Sequence, residues 1–367
     1  MRKLIIFCLL IILFGCSSNE EVEQPKEIII ENIESSSVDN VYYYNYLTAE
    51  QKAYYDMLLE ASNNYSNTVE GKIAFNADDF RTAMNAFSLD YPLYYWWRTG
   101  IDAEYTSNSF KATTKEENIE DNVNKLINRK DEILNSCKDE NNYKYIKNIH
   151  DYLVSNISYV TDCEHIHDMF GSLINGKSVC DGYSLAFKYL LNEAGFNCIV
   201  VEGKGLEDNG LVDHGWNYIE LNGKWYLVDV TWDDTVYADS ENDLAYDYFL
   251  LSDEMMSLDH IKNDIYEYPK CNDDSLFYVN MSGKYIKVYD ENELPSLIAQ
   301  WLTTGSNDIY LKFSNYDDGV KAYKYLLEEG NFEKIYSKCS KENYSITYGG
   351  EYNNASHVLH VYYETKN

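Results

Sequence analysis

Three side chains whose types together support nucleophilic catalysis occur in the middle of the chain: Cys180, His214 and Asp229. A thiolate attacks a carbonyl carbon, an imidazole moves the proton, and a carboxylate orients the imidazole. Apolar residues at helical spacing after Cys180, ended by Gly195, predict a helix that begins at the cysteine. The positive end of the helix dipole favours a thiolate there, so we expect the pKa of Cys180 to be lowered.

The histidine and the aspartate fall on the two arms of a predicted β-hairpin. Its turn is Asn222-Gly223, which separates two β-rich runs and is typical of a two-residue type I′ turn. Counting outward from this turn places His214 opposite Thr231, with Asp229 on the same face and diagonal to His214. Diagonal neighbours lie roughly 7 Å apart, within reach of an imidazole–carboxylate hydrogen bond. Asp233 occupies the other diagonal, so this register leaves both carboxylates possible.

Three segments resemble the core motifs of the transglutaminase-like superfamily. They are residues 178–183 (SVCDGY), 213–217 (DHGWN) and 225–233 (WYLVDVTWD), in the family's order of cysteine, histidine and aspartate. The resemblance covers about residues 145–255. It implies an α+β, papain-like fold, in which a catalytic helix packs on an antiparallel sheet that carries the histidine and the aspartate.

The resemblance also implies a role for each residue. Cys180 is expected to be the nucleophile, His214 the general base and then acid, and Asp229, rather than Asp233, the residue that orients His214. Cys180 attacks a carboxamide or peptide carbonyl, its own backbone N–H helps to hold the oxyanion, and a thioester results. Water then gives a peptidase or amidase, and an amine gives a cross-linking transglutaminase. Residues flanking the motifs are expected to line the substrate groove: Tyr183, Trp216, Trp232 and Asp233.

A catalytically silent binding or scaffold module on the same fold is the alternative. The presence of all three residue types in order favours the enzyme, because a pure binder does not need them together. A calcium-loop motif is not found in the sequence, and we predict no cofactor. Cys163, His165 and His167 were weighed as metal ligands, but no second ligand pair with zinc-like spacing accompanies them, so no metal is predicted.

The N-terminus has the features of a bacterial lipoprotein signal. Arg2 and Lys3 precede the apolar run Leu4–Leu13, which is too short to span a bilayer unaided. Residues 13–18 (LFGCSS) then resemble a lipobox in which Cys16 is acylated. We therefore expect a membrane-anchored, extracytoplasmic protein of the bacterial cell envelope.

The amino-acid composition limits the classes of molecule that this protein is expected to bind. The formal net charge of −31 argues against nucleic acid and anionic lipid surfaces, which are bound by cationic patches. A protein or peptide substrate at the cell envelope is the expected partner, and the lipid on Cys16 is the expected membrane contact. The remaining cysteines are scattered without the spacing of a disulfide scaffold, which favours a free thiol at Cys180, although a disulfide among the others stays possible.

Five parts are expected along the chain: a signal peptide (1–15), an acidic disordered tether (16–40), a mainly helical region (41–140), the transglutaminase-like core (141–268) and a small α+β domain (269–367). Sequence patterns predict helices over residues 49–62, 77–87, 114–137, 142–155, 294–302 and 319–329. They predict strands at 72–75, 276–280, 285–289, 309–313, 344–348 and 358–363. Residues 94–97 (YYWW) are expected in the core, and His150 and His260 are expected to be surface or packing residues.

Overall fold

The computed structural model describes residues 41–98, 100–207, 210–234, 246–277, 285–303, 307–339, 345–353 and 357–366. The predicted signal peptide, the tether and Cys16 lie outside these residues. Among the helices described, none combines the length and the apolar character needed to cross a bilayer.

The N-terminal region packs two helices against a small sheet. The helices are α1 (Ala49–Asn63) and α2 (Ala77–Asp90), and the strands are β1 (Thr68–Gly71), β2 (Ile101–Tyr105) and β3 (Phe110–Thr114), in the order β1-β3-β2. A capping box between Thr48 and Gln51 starts α1. The side chains of Tyr95, Trp96 and Trp97 are buried, as expected for core residues.

Two predicted elements of this region are displaced. The strand expected at 72–75 lies at Thr68–Gly71, where it pairs with β3. The helix expected from residue 114 begins only at Ile119, because Thr114 is the last residue of β3. Asn118 occupies the N-cap position of that helix in the left-handed region, with φ of 55° and no capping hydrogen bond from its side chain.

The central region has the predicted α+β architecture. Its helices are α3 (Ile119–Cys137), α4 (Asn142–Asn156) and α5 (Cys180–Glu193), and α5 packs against the main antiparallel sheet. The sheet has the order β10-β6-β7-β8-β9 and contains β6 (Cys198–Glu207), β7 (Gly210–Leu221), β8 (Lys224–Val228), β9 (Phe249–Leu251) and β10 (His260–Lys262). A two-stranded parallel pair, β4 (Ser158–Tyr159) and β5 (Lys177–Ser178), precedes α5, and short helices α6 (Val230–Asp233) and α7 (Asp253–Met256) follow β8 and β9.

The β7–β8 hairpin forms at the predicted turn. Asn222 and Gly223 both have positive φ, 54° and 75°, which is the geometry of a type I′ turn. Leu221 faces Lys224, and the ladder continues in the predicted register as far as the pair Asn217–Val228. The dipeptide therefore determines which face of the hairpin each residue occupies.

The prediction that His214 faces Thr231 across this hairpin is wrong. After Val228 the chain leaves the sheet and enters α6, because the Asp229 carboxylate caps that helix and accepts a hydrogen bond of 2.9 Å from the backbone N–H of Thr231. Asp229 therefore approaches His214 from a helix N-terminus and not along a strand.

The C-terminal region has a hydrophobic core of its own. Its four-stranded sheet has the order β11-β12-β14-β13, formed by β11 (Tyr285–Ile286), β12 (Asp308–Phe313), β13 (Ser345–Asn353) and β14 (Val358–Lys366). Its helices are α8 (Leu294–Leu302), α9 (Tyr316–Tyr323) and α10 (Asn331–Cys339), with a π-helical turn at Lys324–Glu328. Residues 276 and 277 are not in a strand, and the rest of the strand expected at 276–280 lies outside the described residues.

Candidate active site

Cys180 is the first residue of α5, as the sequence predicted. Backbone and side chains pack closely behind it: a Cβ on Gly182 would lie 1.8 Å from Ser178 Oγ, so only glycine fits that position. A Cβ on Gly215 in β7 would lie 4.0 Å from the backbone oxygen of Cys180. The candidate nucleophile therefore lies at the sheet, next to the residue that follows His214.

The surroundings of Cys180 do not favour the expected thiolate. The residue is 8% exposed, and its Sγ donates to Asp181 Oδ1 at 3.4 Å. Burial and, after it, the negative charge of Asp181 raise the pKa of Cys180 to about 12, and this outweighs the lowering by the Gly215 N–H. The prediction of a lowered pKa is therefore wrong, because a single helix dipole is weaker than burial beside a carboxylate. Cys180 is a neutral thiol at neutral pH and needs a base.

Asp181→Asn is expected to lower the pKa of Cys180, because it removes the adjacent negative charge with little change in shape. Alkylation of Cys180 by iodoacetamide at about pH 8 should become about 3- to 10-fold faster. Peptide mass spectrometry measures the rate, with the exposed Cys163 as an internal reference. An unchanged rate would show that the Asp181 charge does not control the thiol.

His214 and Asp229 form a short, buried hydrogen bond. His214 Nε2 lies 2.6 Å from Asp229 Oδ2, and the two residues are 7% and 0% exposed. If Nε2 carries the proton that it donates to the carboxylate, Nδ1 is the unprotonated nitrogen and can accept a proton from a thiol. Burial opposes ionisation of Asp229, but the imidazoles of His214 and His260 lower its pKa well below the ordinary value, so it remains a carboxylate.

Asp233 belongs to a different network. Its Oδ2 lies 3.0 Å from His150 Nε2, and its Oδ1 accepts a hydrogen bond of 2.9 Å from the backbone N–H of Tyr248. The other nitrogen of His150 lies 3.1 Å from Asp151 Oδ1. Of the two carboxylates that the hairpin register left open, the tertiary structure brings Asp229 to His214. His150 is fully buried and paired, so it is not a surface residue.

His260 is a second histidine on Asp229, and sequence reasoning gave it no such role. His260 Nε2 lies 3.1 Å from Asp229 Oδ2, and its Nδ1 lies 2.6 Å from Asp259 Oδ1. Burial disfavours the charged ring, but these two carboxylates raise the pKa of His260, so the imidazolium is favoured. Asp259 in turn accepts a hydrogen bond of 2.7 Å from the Tyr248 hydroxyl. No local pattern in the sequence links β10 to Asp229; only the strand order of the sheet does.

The residues expected to line a groove are mostly buried. Tyr183, Trp216 and Asp233 are each 1% exposed or less, and of the three Trp216 lines a cavity, together with Tyr218 and His260. Trp232 is partly exposed and stacks on His214, with ring centroids 4.8 Å apart. Tyr159 is an exposed aromatic residue that the sequence did not single out, and partial desolvation raises its pKa.

The two histidines weighed as metal ligands contact two different carboxylates. His165 Nδ1 lies 2.9 Å from Asp168 Oδ2, and His167 Nδ1 lies 3.1 Å from Asp181 Oδ2, while Cys163 is exposed. Asp181 also forms an ion pair of 3.1 Å with Arg98. This loop therefore holds the carboxylate that contacts the candidate nucleophile.

His214, Asp229 and His260 have the donor types of a metal site, and their ligand atoms lie within 4.8 Å of one another. Two imidazole nitrogens and a carboxylate oxygen are ligands that zinc accepts. Here the carboxylate accepts hydrogen bonds from both imidazoles at 2.6 and 3.1 Å. Those contacts satisfy all three groups as a hydrogen-bonded network.

Known proteins resemble parts of this chain. The kyphoscoliosis peptidases of Mus musculus and Homo sapiens are each 39% identical over 64 residues, which is 15% of this chain and 10% of each relative. The crystal structure of a TGase is 18% identical, with 45% of this chain and 50% of that one covered and a TM-score of 0.26. The chain thus spans about a tenth of the length of these curated relatives.

The family model of the transglutaminase-like superfamily matches residues 128–230. This range contains α4, α5 and the β6–β8 part of the sheet, and with them Cys180, His214 and Asp229. The resemblance drawn from the three sequence motifs is thereby confirmed. Residues 128–230 of this chain form a transglutaminase-like domain, and a 64-residue segment of the chain is similar to the kyphoscoliosis peptidases.

Proposed function

We propose that this protein is a cysteine-dependent acyl-transfer enzyme that uses Cys180, His214 and Asp229. The observation that carries the proposal is the buried 2.6 Å contact between His214 Nε2 and Asp229 Oδ2. A Cβ on the neighbouring Gly215 would lie 4.0 Å from the backbone oxygen of Cys180, the first residue of α5. A structural histidine does not need this arrangement beside a thiol, whereas a general base does.

The reaction begins with proton transfer from the Cys180 thiol to His214 Nδ1, because Nε2 is engaged with Asp229. Sγ then forms a bond to the carbonyl carbon of an amide, and the oxygen takes the negative charge. The backbone N–H of Cys180 belongs to the first helical turn, whose N–H groups have no partner within the helix, and it can stabilise that oxygen. His214 returns the proton to the departing amine, the C–N bond breaks, and a thioester remains.

The second substrate decides the outcome. Water yields a carboxylic acid, and the protein acts as a peptidase or amidase; a primary amine yields a new amide, and the protein cross-links its substrates. We place the substrates among proteins or peptides of the cell envelope or outside the cell. The support for this location is the N-terminal sequence, in which residues 13–18 resemble a lipobox that would place a lipid on Cys16.

One observation favours a second candidate function, a catalytically silent binding module on the same fold. Cys180 is nearly buried and its pKa is raised, which describes an unreactive thiol unless His214 removes the proton. The two candidates therefore make different predictions for Cys180. An enzyme needs its thiol for turnover, whereas a binding module binds without it.

The test is turnover of a peptide mixture by the wild-type protein, followed by mass spectrometry with and without an added primary amine. We expect hydrolysed or amine-modified products, undiminished by EDTA because the nucleophile is a thiol. Cys180→Ala should abolish them, whereas Cys163→Ala, at an exposed cysteine, should not. Products that persist in Cys180→Ala would exclude the proposal, and intact binding without products would favour the binding module.

A further inference from the structure

Lys312 is a buried lysine where the C-terminal region meets the central region. It lies in β12, whose odd-numbered residues from 309 to 313 face the C-terminal hydrophobic core. Because side chains alternate along a strand, Lys312 faces the other side of that sheet. Its ammonium group lies over the rings of Tyr248 and Phe277, 5.0 and 5.3 Å from their centroids. Both rings belong to the hydrophobic core that the N-terminal and central regions share, so Lys312 joins the two cores.

This position is unfavourable for a lysine. Lys312 is only 1% exposed, and burial lowers its pKa. Three carboxylates oppose this shift by their negative charge, those of Asp247, Asp259 and Asp233. Burial, and after it the charge of Lys312, lower the pKa of His357, so the neutral form of that imidazole is favoured. An apolar residue would fill the same space without the cost of burying a charge, which indicates a specific role for the lysine.

The hydrogen bond of Lys312 holds the turn before β9. Its Nζ donates to the backbone oxygen of Asp247 at 2.6 Å. The next residue, Tyr248, binds the end of the β7–β8 hairpin through its backbone. Its C=O accepts a hydrogen bond of 3.0 Å from the backbone N–H of Asp229, and its N–H donates to Asp233 Oδ1 at 2.9 Å. Lys312 therefore anchors the turn that holds the backbone of Asp229.

The side chain of Tyr248 makes a second connection to the candidate site. Its hydroxyl donates to Asp259 Oδ2 at 2.7 Å, and Asp259 Oδ1 lies 2.6 Å from His260 Nδ1. His260 Nε2 lies 3.1 Å from Asp229 Oδ2, the oxygen that also contacts His214. The ring that lies under the ammonium group is therefore joined to the candidate general base by an unbroken series of contacts.

We propose that Lys312 is a positioning residue for the candidate active site. By holding the Asp247 carbonyl and the Tyr248 ring, it fixes Asp229 and thereby the orientation of His214. This inference rests on the proposed function and gives the C-terminal region a part in it. That region supplies a buried positive charge that orders the histidine–aspartate contact.

The first test compares turnover by the full chain of the wild type, Lys312→Met and Lys321→Met. We expect kcat to fall by about 10- to 100-fold in Lys312→Met with KM nearly unchanged, because a displaced His214 slows the chemical step. Lys321→Met is the matched control in the same region, since Lys321 is exposed and pairs with Asp318. A wild-type kcat in Lys312→Met would overturn the inference.

A double-mutant cycle tests whether Lys312 acts through Tyr248. Tyr248→Phe removes only the hydroxyl that donates to Asp259. If both residues belong to one network, the loss of kcat in the double variant should be smaller than the product of the two single losses, by about 3-fold or more. Losses that multiply fully would show that Lys312 acts independently of Tyr248 and would overturn the inference. If urea unfolding shows that Lys312→Met does not fold, an unchanged kcat in Tyr248→Phe would overturn it instead.

Proton NMR separates this inference from the proposed function. The imidazole proton between His214 and Asp229, in a short and charge-assisted hydrogen bond, should give a downfield signal that Asp229→Asn removes. We expect this signal to move upfield or broaden in Lys312→Met and to stay unchanged in Lys321→Met. A changed signal in a protein without turnover would retain Lys312 as a positioning residue while the proposed function fails. An unchanged signal, with wild-type turnover that depends on His214, would mean that only this inference fails.

Discussion

His214→Ala is expected to lower acyl-transfer turnover by about 10⁴-fold, because it removes the proposed general base, the imidazole that the Asp229 carboxylate orients. The buried Cys180, whose pKa is raised to about 12, would then stay protonated throughout the neutral range. Labelling by iodoacetamide should therefore be slow in the variant below about pH 9 and rise only in strong base. In the wild type, labelling should already be measurable near neutral pH.

The measurement is the pH profile of Cys180 alkylation, read by peptide mass spectrometry alongside turnover. His167→Ala is the matched control, because His167 is exposed and contacts Asp181 without contacting Asp229. We expect this control to retain most of the turnover. Profiles of His214→Ala and wild type that coincide would mean that the histidine does not act on the thiol, and would return the binding module to first place.

Asp229→Asn is expected to reduce turnover by about 10³- to 10⁴-fold, whereas Asp233→Asn should change it by less than about 10-fold. An asparagine at 229 can donate to His214 Nε2, which would move the ring proton to Nδ1, the nitrogen that must accept the thiol proton. Asp233 contacts His150 and not His214, so its substitution leaves that tautomer unchanged. Turnover of the two variants in one assay decides between the carboxylates.

His260→Gln refines the same comparison. Glutamine retains a donor towards Asp229 but removes the imidazole whose pKa the carboxylates of Asp229 and Asp259 raise. We expect an intermediate effect, and a shift of the acidic limb of the pH–turnover profile, which a purely structural role would not produce. Equal effects of His260→Gln and Asp229→Asn would instead show that the two histidines act as one unit.

The free energy of unfolding should also depend on the charge of Asp229. The folded-state pKa of Asp229 is depressed, so its contribution is fully present above the unfolded value of about 4 and is lost as the pH falls below it. Asn at this position removes that dependence. Urea unfolding of the wild type and of Asp229→Asn should therefore differ most near neutral pH and converge towards about pH 2.

Local sequence determined much of the hairpin and the catalytic helix. Asn222-Gly223 adopts positive φ at both residues, which few other pairs tolerate, and this alone established the register from Leu221 to Asn217. The helical spacing after Cys180 likewise established the start of α5. The order of cysteine, histidine and aspartate motifs identified the superfamily, because these residue types are constrained by chemistry as well as by folding.

Local sequence could not determine where the β7–β8 ladder ends or in which direction the pKa of the Cys180 thiol is shifted. Asp229 lies between strand β8 and helix α6. It could have continued the pairing of β8 with β7, but in the folded protein it caps α6 instead. The pKa of Cys180 could not be predicted for a similar reason. The helix dipole follows from the predicted helix, whereas the burial of the thiol beside Asp181 depends on packing by distant segments.

The sequence by itself therefore indicated the superfamily that residues 128–230 match, the helix that begins at Cys180 and the two candidate carboxylates. The tertiary structure decided which carboxylate meets His214 and brought His260 of β10 onto that carboxylate. The physical reason is the distance along the chain over which each kind of interaction acts. Turns, caps and helical spacing act over a few neighbouring residues, whereas burial, charge pairing and strand order join residues that are far apart in the chain.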